Sequence, residues 1–390
     1  VVELTVRKVS NQSRFGKSSL LYLNMKPLAT SNLKNHRFEQ HPKTMLFIII
    51  LGGLLLILTV AEITARLFIP QWAPARAERV NFWQYDSVLG WAHRPYQQGA
   101  LVHQDFAINV QINADGLRDH DYSRARTTKK RLLILGDSFG WGFGVEQSQI
   151  FSEILETHHV DWEVINASVS GYGTDQEYLY LQQRGIHYQP DIILLLFYEN
   201  DFRNNQSNEE YWYYKPYFRL SADGQLQLHN NPVPTSSWQQ IFERWIYGHT
   251  YLWAKLYTAG KTIKHQLTTS FKKSAAAPTA TNDSKSQTAQ AQMLSNQRQV
   301  TVNILNAIHQ LAQHHQAQFI LVSIPMSADQ RAVLQQLARQ EQFPYLALET
   351  AWQNTPLENL TFPHDKHWNA NGHEMAAHAI DEFLHTLKIW

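Results

Sequence analysis

The sequence of 390 residues contains no cysteine. Disulfides, thiolate metal sites and cysteine nucleophiles are therefore excluded, while an oxidising compartment stays open to it. Charge of one sign is also missing: 34 Lys+Arg stand against 33 Asp+Glu, a balance that argues against nucleic-acid binding. No internal repeat is present. The glycines at 140, 142 and 144 miss the G-x-G-x-x-G spacing of a dinucleotide site, because position 145 is Val. What remains is 44% hydrophobic and 17% charged, a composition that suits a folded body of one large domain or two ordinary ones.

The near-neutral total hides an asymmetry, since residues 1–44 hold eight Lys/Arg and two Asp/Glu. From Thr44 to Ala61 eighteen residues carry no charge, and apolar character resumes past Glu62 and Arg66 to Ile69, where Pro70 ends it. This length crosses a bilayer. Glu62 and Arg66 stand four apart, so they pair on one helix face near the interface. The expected organisation is a basic cytoplasmic segment at 1–43, a single uncleaved transmembrane helix at 44–69, and an exported remainder. By the positive-inside rule this is a single-pass inner-membrane protein with its N-terminus in the cytoplasm and its body in the periplasm or outside the cell. A start at Met45 would remove the basic flank on which that orientation rests.

Residues 70–129 read as a tether followed by a small β-rich segment, with Phe106, Ile108, Val110 and Ile112 alternating before an Asn113–Gly116 turn. From 130 to 390 apolar runs alternate with helical stretches, the rhythm of a parallel α/β sheet. Arg131–Leu135, Glu163–Ala167, Asp191–Phe197, Gln318–Ile324 and Tyr345–Leu348 are the five expected strands. Helices are expected over Ala328–Gln342 and Gly372–Leu387. An excursion at about 202–300 interrupts this rhythm. It carries an aromatic cluster from Tyr211 to Phe218, suited either to packing or to stacking on sugar rings. Its polar tract 272–292 has too little apolar surface to fold and is expected as a mobile loop.

The first strand runs into Gly136-Asp137-Ser138-Phe139-Gly140. A serine at the carboxyl end of a strand in an open α/β sheet lies where such folds place reactive groups. Near the other terminus stands Asp365-Lys366-His367-Trp368, and an Asp beside a His can orient the imidazole and stabilise its charged form. Gly171, in the turn after the second strand, and Asn200, in the turn after the third, offer the amide donors an oxyanion hole needs. A metal site from His364, Asp365, His367 and His373 is a weaker alternative, because their spacing is not diagnostic.

With these four turns in view, the chain resembles an SGNH (GDSL-type) hydrolase over roughly residues 130–388. The resemblance implies a three-layer α/β/α sandwich, of the SGNH or flavodoxin-like kind, with a five-stranded parallel sheet. It implies Ser138 as nucleophile, Asp365 and His367 as its partners, and Ser138, Gly171 and Asn200 as oxyanion donors, with Asp137 and Asp201 behind them. Two departures stand out. Tyr198 replaces the glycine usual before Asn200, and Asp-x-His-Trp replaces the usual Asp-x-x-His, a form similar to exported O-acetyltransferases of polysaccharides. The expected function is a serine esterase that removes a short acyl group from an ester-bearing substrate such as a cell-envelope polysaccharide, with no metal or organic cofactor. Alternatives are a polysaccharide O-acyltransferase using the same site and a catalytically silent glycan-binding protein. The oligomeric state is left open.

Overall fold

The computed structural model describes residues 5–8, 21–24, 41–69, 77–275, 281–353 and 355–390, and the side chains of 41–69, 78–263, 290–353 and 355–390. The expected cytoplasmic segment at 1–43 and the tether at 70–76 lie largely outside these residues. The chain divides into two compact units, Val1–Val60 and Ala61–Trp390. In the first, Thr5–Lys8 pairs antiparallel with Leu21–Asn24. Helix α1 (Pro42–Phe68) begins in the first unit and ends in the second. It is long and apolar enough to cross a membrane. Its final turns carry the Glu62–Arg66 ion pair at 2.9 Å.

In the second unit, the short helix α2 (Ala77–Asn81) leads into two antiparallel hairpins. Trp83–Asp86 pairs with Gly90–His93, and Gln98–Val102 pairs with Ala107–Gln111. The first turns tightly because the Asp86 carboxylate accepts hydrogen bonds from the amides of Val88 and Leu89, both at 2.9 Å. In the second, Ile108 and Val110 face inward and their neighbours outward, the alternation of a half-covered strand.

The body is a three-layer α/β/α sandwich. Five strands form one parallel sheet: β1 (Lys130–Gly136), β2 (Trp162–Asn166), β3 (Ile192–Phe197), β4 (Gln318–Ser323) and β5 (Tyr345–Ala347). Their spatial order is β5-β4-β3-β1-β2. Both faces are covered, which explains why the strands read as unbroken apolar runs. On β1, Leu133 and Leu135 face one core while Leu132 and Ile134 face the other; on β3, Ile193 and Leu195 oppose Leu194 and Leu196 in the same way. The first face packs on α5 (Thr174–Gln183), α8 (Thr281–His314) and α9 (Ala328–Glu341). The second packs on α4 (Phe151–His158) and α10 (Ala370–Thr386). The chain leaves β1 for β2 on one side and then crosses back to β3 on the other. The direction of winding therefore reverses at β1, where open α/β sheets form a crevice beyond the strand ends.

The excursion departs from expectation in one respect. Helix α6 (Trp238–His249) is followed by α7 (Leu252–Ala275) and, past 276–280, by α8 from Thr281. Of the tract 272–292, expected as a loop, residues 272–275 instead end α7 and 281–292 begin α8, while 276–280 lie outside the described residues. Its alanines, glutamines and lysines are good helix formers, and a helix satisfies its own backbone without needing an apolar face there.

Candidate active site

At the C-terminal end of β1 the chain turns at once into α3 (Ser138–Trp141). Asp137 makes the turn: its carboxylate caps the helix by accepting the Phe139 amide at 2.9 Å. The next residue, Ser138, thereby stands at the winding reversal. Its Oγ lies 2.7 Å from Nε2 of His367, a residue 229 positions away. The other ring nitrogen of His367, Nδ1, is hydrogen-bonded to the Asp365 carboxylate, which also accepts the His367 amide at 3.3 Å. Burial pushes the Asp365 carboxyl up, but its hydrogen bond to His367 and the imidazole's charge outweigh this and hold it below its ordinary value.

The loop bearing Asp365 and His367 is fixed from both ends. Phe362 donates its amide to the His367 carbonyl at 2.8 Å and Lys366 to the Phe362 carbonyl at 3.2 Å. Just beyond, Asn369 caps α10 by accepting the Gly372 amide at 3.0 Å. Trp368 is buried in the second core, edge-on to Phe139 and Trp352 at 5.1 and 5.4 Å, so the residue after the histidine is a packing anchor. A third support was not visible in the sequence. Asp105, in the turn of the second hairpin, accepts the amides of His364 and Asp365 at 3.1 and 3.0 Å and pairs with His364 Nδ1 at 2.5 Å.

A cavity of about 300 Å³ opens beside Ser138 and His367, and Gly171 and Asn200 line it. The Gly171 amide has no hydrogen-bond acceptor among the described residues. Gly171 has φ +82°, and a Cβ there would come within 2.6 Å of the Tyr211 ring, so both conformation and close approach demand glycine. The same wall contains Glu78 and Arg79 of α2 and Tyr211 from the aromatic cluster. Arg79 stacks over the Tyr211 ring at 3.6 Å. Glu78 is buried, accepts from Trp83 Nε1 at 3.2 Å and Ser170 Oγ at 3.1 Å, and is raised by burial above its ordinary value. Of the cluster, Tyr211 reaches the cavity, whereas Tyr213 is buried between Trp83 and Trp91. Tyr198, in the glycine's place, packs on Phe139 at 5.0 Å and also lines the cavity.

Behind the site lies a set of buried acids. Burial raises Asp137 to about 6. Asp201, which accepts from Thr174 Oγ1 at 3.0 Å, is raised well above its ordinary value by burial and then by the charge of Asp137. Glu177, on the first turn of α5, is raised for the same first reason, and its carboxyl has no hydrogen-bond partner among the described residues. Burial thereby favours the neutral form of Asp201 and Glu177 beside the Asp137 carboxylate, so the floor of the site carries less negative charge than its composition implies.

The metal alternative fails on geometry. His364 turns to Asp105 and His367 to Asp365 and Ser138. His373 is buried against Phe151, with its pKa pushed down to about 3 by burial. Among the described residues two other groups have metal-ligand spacing, His159–Asp381–His385 and Asp119–His120–Glu153. In the first, Asp381 Oδ1 already accepts from His159 at 2.7 Å and Trp390 at 2.8 Å.

Serine hydroxyl, imidazole and carboxylate in series, facing a cavity with backbone and amide donors, form an arrangement able to perform acyl transfer through a serine nucleophile. No family model and no curated protein matches the chain. Among solved structures similar to it are a GDSL-like lipase from Bacteroides thetaiotaomicron, at 10% identity and TM-score 0.38 over 68% of this chain and 93% of that one. The psychrotrophic esterase EstA from Pseudoalteromonas sp. is similar at 12% identity and TM-score 0.37, over 67% and 100%. An acetyl xylan esterase is similar at 12% identity and TM-score 0.34, over 65% and 98%. Likeness at this level states what the chain is similar to, and the functional reading rests on the site's own geometry.

Proposed function

We propose that the protein is a membrane-anchored serine esterase of the SGNH type. The observation that carries this reading is the 2.7 Å approach of Ser138 Oγ to His367 Nε2, with Asp365 on the opposite ring nitrogen. His367 takes the proton of Ser138 as the oxygen attacks an ester carbonyl, and Asp365 holds the ring and stabilises the imidazolium. The amides of Ser138 and Gly171 and the side-chain amide of Asn200 receive the oxyanion. His367 then protonates the leaving alcohol. A water molecule, deprotonated by the same imidazole, attacks the acyl-enzyme; the acid departs and Ser138 regains its proton. A sugar hydroxyl in place of that water would turn hydrolysis into O-acyl transfer.

A cavity of about 300 Å³ suits a short acyl group better than a long chain, and its polar wall of Glu78, Arg79 and Tyr211 suits a hydroxyl-rich alcohol such as an envelope glycan. The basic residues before α1 favour an N-terminus in the cytoplasm, with the catalytic body on the far side of the membrane. The test is hydrolysis of a short-chain aryl ester, together with covalent labelling by a fluorophosphonate. Full-length protein is expected to turn over and to label, and Ser138→Ala to do neither while keeping its melting temperature. Turnover that survives Ser138→Ala would overturn the assignment.

A further inference from the structure

Helices α6 and α7 carry a face that the other described residues leave uncovered. On α6, Trp238, Ile241, Phe242 and Trp245 are 86%, 41%, 56% and 53% exposed, at the i, i+3, i+4, i+7 spacing of one stripe. On α7, Leu256 and Ile263 are 49% and 56% exposed. Isolated exposed apolar residues are ordinary, but a contiguous aromatic-rich stripe marks a surface meant to be covered.

What covers it follows from where the pair of helices is fastened. The junction between α6 and α7 is held by the last turns of α1. Glu62 accepts the amides of Tyr251 and Leu252 at the start of α7, both at 2.8 Å. Arg66 donates to the His249 carbonyl at the end of α6 and lies over the Tyr251 ring at 5.5 Å. Glu62 and Arg66 are the first charges after the apolar run, the place where a span meets the headgroup layer.

The charge pattern agrees. Leu252–Ala275 contains five lysines and no acidic residue. The acid of α6, Glu243, is buried between the helices, bonded to Lys261 at 3.0 Å and to Tyr257 at 2.9 Å. An aromatic stripe on α6 beside a helix whose charged residues are lysines is a composition suited to a membrane interface.

We infer that α6 and α7 dock flat into the headgroup layer of the bilayer that α1 crosses, with the Trp238–Trp245 stripe inserted. The inference rests on α1 being a membrane span, as proposed above. It fixes where the catalytic cavity stands. The close approach of Gly248 to Val80 seats α6 directly on α2, whose Glu78 and Arg79 wall the cavity. Arg244 of α6 donates to the Trp212 carbonyl, next to the cavity residue Tyr211. The cavity therefore sits one helix away from the lipid surface.

The absence of cysteine makes the test clean. Full-length Phe242→Cys, Leu256→Cys, Leu55→Cys and Arg339→Cys variants, each labelled with an environment-sensitive fluorophore, are placed in nanodiscs with and without lipids carrying a nitroxide near the headgroup. Arg339, exposed on α9, reports water, and Leu55 reports the span. Probes at 242 and 256 are expected to shift to the blue relative to 339 and to lose emission with the nitroxide lipid. If they match 339 while 55 is embedded, docking is refuted and the anchor stands. If they are shielded from water yet unquenched by lipid, protein covers the face and docking is again refuted. If 55 itself is in water, the anchor and the docking fall together. Ester turnover measured on the same samples tests the catalytic reading independently.

Discussion

Asp105 offers the sharpest test of how the site is held, because it touches the catalytic loop without lining the cavity. Its carboxylate accepts the amides of His364 and Asp365 and pairs with the His364 ring. Burial pushes it up, but the His364 hydrogen bond and the two amides outweigh that and hold it below its ordinary value, so it is charged at neutral pH. Hydrogen bonds to a charged acceptor contribute about 1.5–3 kcal/mol each. His364 is exposed, and water can replace part of what it loses. We therefore assign about 2 kcal/mol to the preference for the aligned loop, within the same range. At about 1.4 kcal/mol per factor of ten, Asp105→Ala should lower kcat about thirtyfold. KM should stay nearly constant, because no substrate contact is removed. Asp105→Asn keeps one acceptor oxygen without the charge and should fall between the two. The assay is steady-state hydrolysis of a short aryl ester with thermal melts alongside. A kcat for Asp105→Ala within about twofold of the parent, at unchanged stability, would refute the positioning role.

Three further outcomes are expected. Asn200→Ala should cost about a hundredfold to a thousandfold in kcat with little change in stability, since in the proposed mechanism it removes a donor for the oxyanion; a kcat near that of the parent would remove Asn200 from the site. Lys215→Met should destabilise the fold by about 3–5 kcal/mol in denaturant titration, because Lys215 is fully buried against Asp175 at 2.5 Å and its loss strands that carboxylate. His93 and His373 are held neutral by burial, with pKa values pushed down to about 4 and about 3. The unfolded chain binds their protons first, so their contribution is complete above pH ~6.5 and declines as pH falls below it, levelling off near the folded values. This contribution reaches at most about 2 kcal/mol per histidine at pH 5, while the raised acids Asp137, Glu177 and Asp201 act in the opposite sense, so the check is made on the rings themselves: in the folded protein neither imidazole resonance should titrate between pH 7 and pH 5, and one that does would show that its ring is not held neutral.

The parts legible in the sequence were those whose signal is local. The five strands announced themselves because a sheet covered on both faces requires apolar residues at every position, as Leu132–Leu135 and Ile192–Phe197 show. Ser138 and the Asp365–His367 pair drew attention because a turn after a buried strand and an acid two residues from a histidine are short-range patterns. Glu78, Arg79 and Asp105 carried no such pattern. They lie in the expected tether and β-rich segment and reach the cavity or its loop only because this segment packs on the turn after β2 and on the loop before α10. Glu177 was hidden for a related reason: an acid in the first turn of a helix usually faces water, and only the packing of α5 buries it. At 272–275 and 281–292 the residues show no apolar face, yet backbone hydrogen bonding and propensity sustain helix there, so the lack of such a face does not exclude one.

By itself, then, the sequence determined the layers, the apolar span and the residue types able to act on an ester, since periodicity and composition are properties of neighbours along the chain. Tertiary structure alone decided that Ser138 meets His367, that Asp105 grips the loop that carries His367, and that the aromatic stripe of α6 is left facing outward beside the end of α1. Those are relations between residues up to 260 positions apart, and such relations exist only once the chain has closed on itself and buried its core.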